Sequence, residues 1–171
     1  NGTNSVVCSQ IANALHSASD HLPVYMDVWF DDLVFGDSSI VISEIMANPA
    51  SVSDSYGEWF EIVNISESSV ELSGWVIKNA EDNEHTINTL SNDFLILPNE
   101  YLVFARSDDL EANGGVHSDY VYTGISLSNS EDALILIDSE NAIIDEVHYD
   151  NSWGFSSGVS LELRDITLNN N

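Results

Sequence analysis

The first residues in this chain able to do chemistry are Ser19-Asp20-His21, directly followed by Leu22-Pro23 and an apolar run. A carboxylate beside an imidazole can orient a general base, and three such residues alone also fit a loop leading into a strand. A second set comprises three carboxylates in otherwise apolar strand patterns. Alternate residues of a strand share a face. Glu44 therefore falls with Ile40, Ile42 and Met46, Glu61 with Trp59 and Val63, and Asp145 with Ile143, Val147 and Tyr149. Burying an unpaired carboxylate is costly, and the chain has only three permanent cations, Lys78, Arg106 and Arg164. Each of the three acids must then accept backbone hydrogen bonds, take up a proton, bind a metal such as calcium, lie at an open end, or be turned outward by a bulge.

The oxygen-rich loops Glu81-Asp82-Asn83-Glu84, Ser107-Asp108-Asp109-Leu110-Glu111 and Ser130-Glu131-Asp132 lack the helix-loop-helix calcium spacing and read as solvated turns. His85, His117 and His148 show no ligand spacing. Trp59, Trp75 and Trp153 read as core residues, because Trp is largely buried on average. Asn1-Gly2-Thr3 and Asn64-Ile65-Ser66 match the glycosylation acceptor pattern, which carries no meaning in a bacterial protein.

The elements that must position these groups are short strands. Residues 1–22 are small and polar, and Pro23-Val24-Tyr25-Met26-Asp27-Val28-Trp29-Phe30 has strand composition. From Ile40 onward, strands are expected at 40–46, 59–64, 70–78, 85–88, 94–97, 101–106, 120–123, 133–138, 142–149 and 159–163, separated by turn clusters rich in Asn, Gly, Pro and Asp. The clearest hairpin joins Ala133-Leu134-Ile135-Leu136-Ile137 to 142–149 through Ser139-Glu140-Asn141. The spacing predicts an all-β sandwich or barrel.

Composition limits function more sharply than fold. Of 171 residues, 29 are Asp or Glu against 3 Lys or Arg, a formal net charge of −26. Such a surface repels nucleic acid and anionic lipid, so direct DNA or RNA binding is not expected, and it suits basic partners or divalent cations. No apolar run is long enough to span a bilayer, so no membrane insertion is expected. The lone cysteine, Cys8, excludes an internal disulfide.

Two segments resemble known families. Ala18-Ser19-Asp20-His21-Leu22-Pro23-Val24 resembles the last motif of the endonuclease/exonuclease/phosphatase superfamily, the DNase I-like phosphodiesterases. The resemblance implies that His21 corresponds to the general base and Asp20 to the orienting acid. The family's Asn and Glu magnesium ligands and second His cannot be located here. Residues 1–31 are accordingly expected to be the C-terminal remnant of a nuclease-like domain, inactive by itself, with magnesium belonging to its missing body.

The remainder resembles the lamin-tail domain over residues 40–165. The resemblance is carried in order by Ile40-Val41-Ile42-Ser43-Glu44-Ile45, Gly57-Glu58-Trp59-Phe60-Glu61-Ile62-Val63-Asn64, Leu72-Ser73-Gly74-Trp75, Leu97-Pro98-Asn99-Glu100-Tyr101, Ser128-Asn129-Ser130-Glu131-Asp132 and Ile144-Asp145-Glu146-Val147. It implies an immunoglobulin-like β-sandwich without a catalytic centre, often fused to secreted bacterial hydrolases. The expected organisation is a nuclease-like remnant at 1–31, a linker at 32–39 and a lamin-tail domain at 40–171. The expected role is an accessory module of a secreted bacterial hydrolase, attaching it to a protein or cell-surface partner or spacing its domains. The alternatives are a phosphodiesterase fragment, or a homodimer formed through strand 23–30 or another edge strand.

Overall fold

Among the described residues, eleven strands, short and separated by turns, follow from the β-branched runs and punctuating Asn and Gly residues of the sequence. The computed structural model describes residues 39–89 and 94–164. Asp20, His21 and the expected strand 23–30 lie outside the described residues. The strands are β1 (Ile40–Met46), β2 (Trp59–Asn64), β3 (Val70–Glu71), β4 (Val76–Asn79), β5 (Glu84–Thr86), β6 (Leu95–Ile96), β7 (Tyr101–Ala105), β8 (Tyr120–Val121), β9 (Asp132–Ile137), β10 (Ile143–Tyr149) and β11 (Leu161–Glu162). One helical turn, α1 (Asp54–Gly57), precedes β2.

The strands form a five-stranded sheet ordered β11-β1-β2-β7-β8, a four-stranded sheet ordered β10-β9-β4-β5, and a small β3-β6 pair. All pairings are antiparallel except β7 with β8. The observed architecture is the all-β sandwich expected from the strand spacing, immunoglobulin-like as the lamin-tail resemblance implies.

The expected strand over 70–78 is divided in two. Gly74 adopts φ +84, a left-handed conformation that costs glycine little, and Trp75 N–H bonds back to the Leu72 carbonyl at 3.1 Å. That turn carries the chain from the β3-β6 pair into the four-stranded sheet. The hairpin between β9 and β10 follows the expected Ser139-Glu140-Asn141 turn. Asn141 takes φ 67, and Asp138 Oδ1 accepts from the N–H groups of Glu140 and Ala142, each at 2.8 Å.

The core lies between the two large sheets. Phe60 and Phe104 stack with centroids 5.0 Å apart, and Tyr122 tilts onto Phe60 at 5.5 Å. Ile40, Ile62, Ile77 and Leu134 close around them, all essentially inaccessible to solvent. Each buried aliphatic or aromatic side chain of this kind stabilises the fold by about 1.5–3 kcal/mol through removal from water.

Three buried asparagines brace the loops. Asn64 donates through Nδ2 to the carbonyls of Ser68 (2.7 Å) and Ile96 (3.0 Å), and its Oδ1 accepts from Ser66 N–H and Ser66 Oγ. Asn113 is held as fully, donating to Ser107 and Val116 and accepting from Gly115 and Val116. Asn79 ties its own turn to Ser126. The acceptor pattern at Asn64 is thus a structural feature: in the folded domain its amide is buried and engaged.

Replacing Asn64 with Ala would leave these backbone groups without their partner. The expected loss is about 3 kcal/mol of stability, read as a lower urea midpoint at unchanged slope.

Candidate functional site

The three carboxylates read from the strand pattern have separate fates. Asp145 is buried, and its Oδ2 accepts a hydrogen bond from Ile42 N–H at 2.7 Å. Ile42 is in β1 of the five-stranded sheet and Asp145 in β10 of the four-stranded sheet, so the bond crosses the sandwich. The register of β1 against β2 shifts between Ile42 and Glu44, and that of β10 against β9 shifts between Ile143 and Asp145. A bulge frees a backbone group from the ladder and re-aims the side chain beside it. The two bulges here supply the donor and the acceptor of one bond.

The same bulge in β1 alters the expectation for Glu44 and Glu61. Both are only partly buried. Glu44 Oε1 accepts from Ser160 Oγ at 2.5 Å and Glu61 Oε1 from Ser43 Oγ at 2.6 Å. In the sheet, Glu44 stands opposite Glu61 on one side and Glu162 on the other, a row of three acids across β2, β1 and β11. Like charges directly opposite one another destabilise a sheet. Among the described residues no group of three His, Cys, Asp or Glu side chains is placed to hold a metal ion, so Glu44, Glu61 and Asp145 do not converge into one ligand set.

One buried acid escaped the strand reading. Glu58, immediately before β2, is inaccessible to solvent. It receives Arg106 Nη1 at 3.2 Å, Leu127 N–H at 3.0 Å and Ser126 Oγ at 3.2 Å, while its own carbonyl accepts from Arg106 N–H at 3.1 Å. Burial pushes the Glu58 carboxyl above its ordinary value of 4.5, against the lowering effects of Leu127 N–H and Arg106. The sequence signal was the scarcity of cations, Arg106 directly after β7 being one of only three permanent ones.

The acidic loops cap turns. Asp132 accepts from the N–H groups of Ala80, Ala133 and Ser128, Asp109 from those of Glu111 and Ala112, and exposed Asp82 pairs with Lys78 at 2.7 Å. His85 sits between the two sheets at one edge. Its Nδ1 accepts from Thr123 N–H at 3.3 Å and its Nε2 meets Tyr120 Oη at 2.9 Å, and burial holds its pKa below the usual 6.5. These groups are engaged in holding the fold.

The opposite edge carries a surface feature that composition missed. Trp75 is in the core as expected, but Trp153 is 55 % exposed. It rides on a 3₁₀ turn, Asn151–Trp153, whose first residue is preceded by Asp150 accepting from Ser152 N–H at 2.7 Å and which Gly154 ends at φ 70. Trp153 overhangs the seam where β10, the edge of one sheet, faces β1 and β11 of the other. There it walls a cavity of about 100 Å³ with Ile42, Ile45, Val147, Leu161 and Leu163. On its other side it borders a second hollow formed with Glu146, Val147 and His148. The rim of the seam is acidic, with Glu44 and Glu162 on one side and Glu146 on the other.

Two predictions follow from the acids. Because the folded state keeps the Glu58 proton to higher pH than the unfolded chain does, the stability linked to that proton is fully present below pH 4.5 and is lost as pH rises through the raised folded value. Arg106→Met, which leaves Glu58 buried without its cation, should cost roughly 3 kcal/mol at pH 7.5 and clearly less near pH 5, by urea melts at the two values. Glu44→Gln should raise stability by up to ~1 kcal/mol at low salt, with the gain fading in high salt and the melting midpoint equal in calcium and in EDTA.

A family model described as Lamin Tail Domain matches residues 35–151. No curated protein matches the chain.

Proposed function

The chain belongs to the lamin tail domain family, and from that premise we propose that it serves as a non-catalytic accessory module that attaches a secreted bacterial hydrolase to a protein or cell-surface partner. The observation that carries the reading is the engagement of the buried acids and asparagines in the fold. Glu58, Asp145, Asn64, Asn79 and Asn113 all take backbone hydrogen bonds. A catalytic acid or nucleophile needs a reacting partner within hydrogen-bond reach in a cleft, whereas these side chains spend their capacity on loops and on the opposite sheet. What remains for recognition is the surface, and its charge favours a basic partner over nucleic acid. The hydrolase context rests on the likeness of Ser19-Asp20-His21 to a phosphodiesterase motif. In that setting Asp20 and His21 act only within the intact nuclease body, together with its magnesium.

Fluorescently labelled chain should be retained saturably on intact bacterial cells at moderate salt. It should neither shift plasmid DNA at low salt nor cut it with magnesium. Metal-dependent cleavage that His21→Ala abolishes would replace this reading with a phosphodiesterase fragment.

A further inference from the structure

The sandwich has a polar fastening on the side away from Trp153, where two short outer strands meet. β5 ends the four-stranded sheet and β8 ends the five-stranded sheet. We propose that His85, Asn88, Tyr120 and Thr123 form an acid-released latch, which holds these strands together while the imidazole is neutral and lets them part when it takes up a proton. The latch belongs to the fold's own edge, whatever partner the domain attaches to. Its hydrogen bonds fix the tautomer. Thr123 N–H points at His85 Nδ1 at 3.3 Å, so that nitrogen carries a lone pair and the ring proton is on Nε2. Nε2–H then donates to Tyr120 Oη at 2.9 Å. The same oxygen accepts from Asn88 N–H at 3.0 Å and turns its own hydrogen toward the Asn88 carbonyl at 3.5 Å. The chain from Tyr120 to Gly124 also runs close against β5: a Cβ placed on Gly124, which takes φ +80, would be 3.6 Å from the Glu84 carbonyl. The Tyr120 ring is itself steadied by Phe94 at 5.5 Å and Phe104 at 5.3 Å.

Only the neutral ring completes this set. An imidazolium carries a hydrogen on both nitrogens. Its Nδ1–H can turn to the Thr123 hydroxyl, 3.5 Å away, but it confronts the Thr123 N–H donor against donor. Water can take over that N–H only when the two segments separate. Among the described residues the hydrogen-bond partners of His85 are all neutral. On its own strand, Glu84 is exposed and stands opposite Lys78 of β4, which pairs with Asp82, while Ile77 stands opposite His85 itself. Beside Tyr120, Asp119 is committed to Val103 N–H at 2.8 Å, and Tyr122 is buried in the core. Asn88 and Phe94 bring no charge. Burial acts in the same direction as the hydrogen bonds, holding the His85 pKa below 6.5. Since the folded value lies below the unfolded one, the stability contributed by the neutral ring is fully present above pH 6.5 and is lost as pH falls through the folded value.

The test uses the full chain labelled with nitrogen-15. At about pH 8, imidazole spectra should show His85 protonated at Nε2, with Nδ1 as acceptor. Amide exchange is then followed down to about pH 5 as protection relative to the unfolded rate. Protection of the Thr123 N–H should fall by up to about tenfold per pH unit once His85 titrates, with the same midpoint as the ring. Phe60 and Leu134, inside the core, should keep theirs. His85→Gln has no titrating ring and should abolish the pH dependence at Thr123. Tyr120→Phe retains the ring stack and should cost the Asn88 N–H its protection at every pH, leaving the response of Thr123 in place. A hydrogen on Nδ1 at the higher pH, or protection of Thr123 that stays constant while the ring titrates, would overturn the proposal. So would an undiminished pH response in His85→Gln. The tautomer and the Thr123 exchange are read on the parent chain, so they decide the matter even if a variant fails to fold.

Discussion

A carboxylate placed between two β-sheets is an unusual member of an apolar interior. Here the bond from Ile42 N–H to Asp145 ties the sheets together at the point where both are bulged. Without an acceptor, the N–H of Ile42 would be a buried donor lacking its ladder bond, at a cost of about 1–3 kcal/mol. Without the Ile42 N–H, the buried Asp145 carboxyl would lose the hydrogen bond that ties it to β1. Each irregularity supplies one partner of the bond that links them. The register of the five-stranded sheet past Ile42 depends on this: beyond the shift Glu44 stands opposite Glu61, and Ile45 and Phe60 return to the core.

Glu58 and Arg106 do comparable work elsewhere in the sandwich. Their side-chain and backbone bonds join the segment leading into β2 to the one leaving β7, and the carboxylate reaches on to Ser126 and Leu127. In a protein with 29 acids and 3 permanent cations, one of those cations is committed to a buried acid. Among the described residues every other acid except Asp145 is at least partly exposed. Acidity in this chain thus has two roles: a few carboxylates organise the interior, and the majority define the field outside it.

Much of this was legible in the residues. Alternating apolar runs and the Asn, Gly and Pro clusters located the strands, and the hairpin turn at Ser139-Glu140-Asn141 formed where its residues suggested. The sequence also posed the right problem for Asp145, since a carboxylate on an apolar face had to find a donor. It could not say that the donor would be a backbone N–H exposed by a bulge in a strand about a hundred residues earlier, because a bulge is a property of the pairing and leaves no mark in either strand alone. Glu58 was missed because it lies just outside the strand period. Trp153 was assigned to the core on average behaviour. Its position on a three-residue turn ended by Gly154, past the last core strand β10, is what leaves it outside.

The chain enters β1 at Ile40 and leaves through β11 at Leu161–Glu162, and these strands are antiparallel neighbours, with Leu163 N–H reaching back to the Ser43 carbonyl. Incoming and outgoing segments therefore emerge toward the same end of the sandwich. Flanking sequence joined at both sides would find the domain hanging from it like a pendant, adding little to the distance between its neighbours. Under tension from both sides, the β1-β11 contact would open one hydrogen bond at a time, like a zipper, instead of resisting as a row of bonds sheared together. Since β11 also walls the seam beneath Trp153, a pull on the flanking chain would dismantle that seam while the other eight strands of the two large sheets still held the core.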